Sequence, residues 1–90
     1  MRRLQLTYSA VHDLERLRAF IAEHDPAAAA RISLRLRTTL QHLLEHPGLG
    51  KPVEELSAVR ELIAGDYVAR YTVTDEAVIV LRIWHGKEDR

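Results

Sequence analysis

The 90-residue sequence predicts an α+β two-layer sandwich, in the order strand, helix, helix and three antiparallel strands. Three observations predict it. A stretch with a period of two opens the chain; two amphipathic helical stretches then meet at Asp25-Pro26; three β-rich stretches follow, separated by tight-turn residues. A helical hairpin beside an antiparallel sheet buries its apolar stripe on one face of that sheet.

The opening strand is RLQLTY, residues 3–8, in which Leu4, Leu6 and Tyr8 share one side and Arg3, Gln5 and Thr7 the other. Ser9 follows as the expected helix cap, because its hydroxyl can accept from a free N–H of the first turn. Ala10, Leu14, Leu17 and Ile21, joined by Val11 and Phe20, make the apolar stripe of a helix of roughly four turns. In EHDPAAAA, Asp25 caps the second helix and Pro26 takes its first position, where a missing N–H costs nothing. That helix runs to about His46 on a stripe of Ala29, Ile32, Leu36, Leu40 and Leu43, with Leu44 at its edge and Leu34 on the far side among arginines.

HPGLGKP ends the helix and opens a loop of about a dozen residues. AVRELIA is then a strand, Gly65-Asp66 a turn, YVARYTV a strand, Thr74 to Glu76 a turn, and AVIVLRIW the last strand. Alternation in that strand puts Ala77, Ile79, Leu81 and Ile83 on one face, and Val78, Val80, Arg82 and Trp84 on the other. Both faces are apolar, so the strand is expected at the centre of its sheet.

The composition indicates one globular domain spanning residues 1–90. Thirteen basic residues balance thirteen acidic ones, so no global positive field favours nucleic acid, and any charge-driven function must come from local clusters. Cysteine is absent, which fits a reducing cytoplasm. The basic MRRLQLTYSA start is followed by no long apolar core, so no signal peptide is expected, and no apolar run is long enough to span a membrane.

HLLEH, His42 to His46, has the H-x-x-E-H spacing of a zinc peptidase, and two histidines four apart share a helix face. A peptidase also needs a third ligand and a cleft, for which so small a domain has little room, so neither metal nor cofactor is expected. Ser9, Ser33 and Ser57 lack a glycine-flanked elbow, and HPGLGKP lacks the Lys-Ser/Thr pair of a phosphate loop. Arg70 and Arg82 are mid-strand in adjacent strands. Like charges packed together need an answer, either from Glu54, Glu55, Glu61 or Glu76, or from an acidic partner or a phosphate backbone. RIWHGKEDR closes the chain with Trp84, His85 and charges of both signs, and is expected to be a working edge for a protein target.

The chain resembles the toxins of the RelE/ParE superfamily from bacterial type II toxin–antitoxin modules, and within it the ParE-like branch. The resemblance rests on SAVHDLERLRAFIAEHDPAAAARI, then LLEHPGLGKPVEEL, then VRELIAGDYVARYTVTDEAVIVLRIWHGKEDR, and covers nearly the whole chain. It implies a cognate antitoxin whose C-terminal segment wraps the toxin. It also implies a target: DNA gyrase for ParE-like members, or mRNA on the ribosome for RelE-like endoribonucleases. For a nuclease, Arg60, Arg70, Arg82 and His85 lie on the matching positions, although Gly86 stands where some members carry a tyrosine. For a gyrase inhibitor, the expected target-binding residues are Arg82, Trp84, His85 and Lys87. The expected antitoxin-binding residues are Leu34, Arg31, Arg35 and Arg70. The neutral chain and long helical hairpin favour the gyrase-directed toxin; a non-toxic binding protein of the same fold is the third alternative.

Overall fold

The computed structural model describes residues 2–86. Its elements are β1 (Arg3–Leu6), α1 (Tyr8–His24), α2 (Pro26–Glu45), β2 (Lys51–Pro52), β3 (Val59–Ala64), β4 (Tyr67–Val73) and β5 (Ala77–His85). The strands form one sheet in the order β1-β5-β4-β3-β2. β1 pairs with β5 in parallel and the remaining neighbours are antiparallel. β5 thus lies inside the sheet, where its two apolar faces place it. β2 is an addition that two residues, one of them proline, give no pattern to reveal.

The chain leaves β1 earlier than its alternation suggests. Thr7 caps α1, its Oγ1 accepting from Ala10 N–H at 3.1 Å, so Tyr8 is helical and 91% exposed rather than aligned with Leu4 and Leu6. Ser9 is therefore not the cap. At the hairpin, Asp25 does cap α2, accepting from Ala28 N–H, with Pro26 in the first turn. His46 caps the C-terminal end of α2 and donates its N–H to His42 O. Gly65 takes the left-handed conformation, φ 61°, that the β3–β4 turn requires.

The core lies between the helices and one face of the sheet. It joins Ala10 and Leu17 of α1 and Leu36, Leu40 and Leu43 of α2 to Leu62, Tyr67, Ala69, Tyr71, Val78, Val80 and Ile83 of the sheet. Burying each large apolar side chain there contributes about 1.5–3 kcal/mol. Val11 and Phe20, expected on the α1 stripe, are 40% and 55% exposed and flank it instead.

The largest departure is within β5. Arg70 pairs with Arg82, but the next residue, Tyr71, pairs with Val80, so Leu81 is a bulge. One extra residue reverses the alternation beyond it. Val78 and Val80 before the bulge and Ile83 after it therefore all reach the core. The strict two-face division expected for residues 77–84 fails for that reason.

Candidate functional site

The site begins where β1 stops. Leu6 is the last β1 residue to pair, opposite Val80, and from there side chains of α1 take over the edge of β5. Thr7 Oγ1, besides capping α1, donates to Leu81 O at 2.8 Å. Asp13, nearly two helical turns further on and 1% exposed, accepts from Ile83 N–H at 2.8 Å. The same carboxylate accepts from Arg82 Nε at 2.8 Å and Nη2 at 3.1 Å, and from Arg16 Nη1 at 2.7 Å. Burial alone pushes the Asp13 carboxyl up, but the Arg82, Ile83 N–H and Arg16 hydrogen bonds outweigh it and hold it below the ordinary aspartate value. Asp13 is not among the residues that the sequence patterns single out, although an acid between Ala10 and Leu17 on the α1 stripe is a visible signal.

The three candidate arginines go separate ways. Arg60 pairs with Tyr71 across β3–β4, which puts it on the helix-facing side, and its Nη1 donates to Gly50 O at 2.7 Å. Arg70 belongs to the opposite face, where Nε donates to Glu61 Oε2 at 2.9 Å. Its Cζ stands 5.3 Å from the Trp84 ring centroid. Arg82, directly opposite Arg70 in the ladder, is bound to Asp13. The expectation that glutamates answer these charges thus holds for Arg70 through Glu61, while Arg82 is answered by Asp13.

His85 pairs with Tyr67, and the two rings meet edge to face with centroids 5.2 Å apart. Trp84, paired with Val68, is on the other face with Arg70 and only 8% exposed. Arg60 and His85 are opposite Tyr71 and Tyr67 respectively, about 13 Å apart along β4 at the usual strand rise. Arg60, Arg70, Arg82 and His85 consequently do not converge on one point. Of the expected target-binding residues, Arg82 and Trp84 share a face by register, His85 does not, and Lys87 lies outside the described residues.

A second feature lies on the helical side. Between β1, α1 and α2 runs a groove of about 460 Å³ lined by Leu4, Leu6, Leu14, Leu36 and Leu40, with Arg18, Arg37 and Glu15 supplying charge. Leu34 is 63% exposed on the same helix as Arg37. Arg31 and Arg35 are exposed one turn apart, and Arg35 lines a smaller cleft against Gly65 and Asp66. Arg70 is on the far face of the sheet, so the structure does not gather Leu34, Arg31, Arg35 and Arg70 into one patch. Among the described residues no third His, Asp or Glu joins His42 and His46 in a metal-ligating group.

Residues 4–90 match the family described as the ParE toxin of the type II toxin–antitoxin system, parDE. The chain belongs to that family. It is accordingly a type II toxin of the ParE/RelE kind, as the three quoted stretches suggest. Toxin RelE1 of Caulobacter vibrioides is 39% identical over 83 residues, covering 90% of this chain and 89% of its own length. Toxin RelE2 of the same organism is 38% identical, covering 89% of this chain and 90% of its own length. Among solved structures, the chromosomal ParDE system of P. aeruginosa superposes with TM-score 0.83 at 23% identity, over 94% of this chain and 96% of the other. The RelBE2 toxin–antitoxin complex of Mycobacterium tuberculosis gives TM-score 0.69 at 25% identity, over 93% and 96%. The α+β fold is that of these ParE and RelE toxins. No helix among the described residues is long and apolar enough to cross a membrane.

Proposed function

We propose that this ParE-family chain is neutralised by a cognate antitoxin and inhibits DNA gyrase by binding it, rather than cutting mRNA. The observation that carries the reading is the dispersal of the basic residues. General acid–base cleavage of RNA needs a proton-transferring side chain, such as His85, and cationic groups converging on one phosphate. Here Arg60 is tied to the Gly50 carbonyl, Arg70 to Glu61, and Arg82 to Asp13. A neutral chain also lacks the field that holds a nuclease on ribosomal RNA.

Antitoxin binding is supported by the groove. Its apolar walls suit one face of an amphipathic segment, and Arg18 and Arg37 against the lone Glu15 favour acidic residues on that segment. The segment would be disordered when free and fold on docking. The RelBE2 relative, solved as a toxin–antitoxin complex, is consistent with such a partner.

The mRNA-cleaving reading keeps one observation in its favour besides the RelE names of its relatives. Arg70 and Arg82 are directly opposite in the ladder, and rearrangement of either ion pair would set two guanidinium groups side by side. Purified toxin decides between them. Inhibited supercoiling with ribosome-bound mRNA left intact is the expected result; codon-spaced cuts with gyrase unaffected would reverse the assignment.

A further inference from the structure

The bulge at Leu81 decides what the end of β5 presents. Continued without it, the strand would turn Trp84 toward the helices with Val78 and Val80, and would expel Ile83 from the core. Leu81 O and Ile83 N–H flank the bulge on the side that β1 no longer covers. Both are held by α1 and its N-cap, through Asp13 Oδ2 and Thr7 Oγ1. The Asp13 carboxylate is itself held by Arg82 and Arg16, which fixes the orientation in which Oδ2 meets the Ile83 N–H.

We propose that Asp13 is a positioning residue for the toxin's β5 end, completing the ladder beyond β1 and so keeping Trp84 on the face with Arg70. Its effect on toxicity rests on the reading that this end of the molecule meets the target. Asp13 touches no target itself; it acts through the backbone of Ile83 and the guanidinium of Arg82. Asparagine can still accept from one donor, but it removes the charge that binds Arg82 and Arg16 and brings an N–H₂ group into a site built only of donors.

The full-length chain carries its own probe, because Trp84 is its one tryptophan. In Asp13→Asn, the Trp84 emission should shift to the red. Exchange of the Ile83 and Trp84 amides should accelerate about tenfold relative to Val78, as for one lost charged hydrogen bond. Growth inhibition on induced expression should fall. Unchanged emission and unchanged exchange at Ile83 would overturn the proposal. Altered emission and exchange with undiminished growth inhibition would support the positioning and overturn the assignment of the β5 end as the target-facing edge. Should Asp13→Asn lose protection evenly, Val78 included, Asp13→Asn/Arg82→Met removes the stranded charge. Loosening confined to residues 82–85 in that variant supports the proposal, and even loss of protection again overturns it.

Discussion

Arg70 and Arg82 stand directly opposite one another in the β4–β5 ladder, yet their guanidinium groups answer to carboxylates on different elements, Glu61 and Asp13. The Asp13 pair is asymmetric, with side-chain exposures of 2% for Asp13 and 55% for Arg82. The two truncations should differ accordingly. Asp13→Ala leaves the buried Ile83 N–H without an acceptor and removes the charged acceptor of Arg82 and Arg16, and should cost about 2–3 kcal/mol. Arg82→Ala leaves Asp13 its Ile83 and Arg16 donors and should cost about 1 kcal/mol. Urea unfolding followed by tryptophan emission measures both; equal costs would contradict the asymmetry.

The same carboxylate gives stability a defined dependence on pH. Its folded pKa lies below the ordinary 3.8, because hydrogen bonds from Arg82, Ile83 and Arg16 overcome the opposing effect of burial. A group depressed on folding contributes stability that is complete above its unfolded value and is lost as pH falls through its folded value. The stability difference between wild type and Asp13→Asn should therefore stay level from neutrality to about pH 5, then shrink below about pH 4. Denaturant midpoints of the two proteins across that range check it, and a difference that grows on acidification would refute the sign.

Local chemistry made much of this fold legible. Asp25-Pro26 marks the helical junction because a capping oxygen and a missing N–H act within one turn, and Gly65 marks the β3–β4 turn because φ 61° suits it. The interior position of β5 follows from its two apolar faces. What stayed hidden depends on groups far apart in sequence. Thr7 displaces Ser9 as the cap because its hydroxyl also reaches Leu81, 74 residues away. At the bulge, Asp13 and Thr7 bond the backbone across a comparable separation, and no alternation within AVIVLRIW records that. The candidate site suffered most, since one bulge reassigns the faces of every residue after it.

Tyr71 ties the loop after α2 to the sheet. Fully buried, its hydroxyl donates to Pro47 O at 2.8 Å and accepts from Gly50 N–H at 2.8 Å. Tyr71→Phe leaves a buried amide and carbonyl without that partner and should cost about 1–3 kcal/mol. Gly50→Ala should be at least as damaging, because a Cβ there would meet Glu61 O and the Tyr71 ring at 2.8 Å. Thermal unfolding of both variants is the measurement, with Tyr71→Phe expected to keep the fold.

Leu34, exposed on α2 outside the groove lining, tests whether the antitoxin surface extends beyond the groove, without disturbing the core. At 63% exposure it contributes little to folding, so Leu34→Glu should leave the unfolding free energy within about 0.5 kcal/mol of wild type. A charge that must be desolvated against an acidic amphipathic segment should weaken the complex about tenfold or more. Calorimetric titration with the cognate antitoxin reads the affinity, and an unchanged value would remove Leu34 from the interface.

The C-terminal residues can be separated from the strand that precedes them. Gly86 N–H donates to Asp66 O at 2.7 Å, and His85 packs edge-on against Tyr67, so β5 is closed onto the β3–β4 turn as far as Gly86. A chain cut after Gly86 retains both contacts and should unfold at the same denaturant concentration as the full chain. A chain cut after Trp84 loses both and should be destabilised, by about 1–2 kcal/mol for the hydrogen bond and the ring contact. Trp84→Ala is the harsher change, since its indole is buried beneath Arg70, and should cost about 3–5 kcal/mol. Growth inhibition by the chain cut after Gly86 therefore isolates Lys87 to Arg90 from any effect on folding. If those charges take part in gripping a protein target, this stable chain should bind the antitoxin normally and fail to inhibit growth. Full toxicity in it would place the working surface entirely within residues up to Gly86.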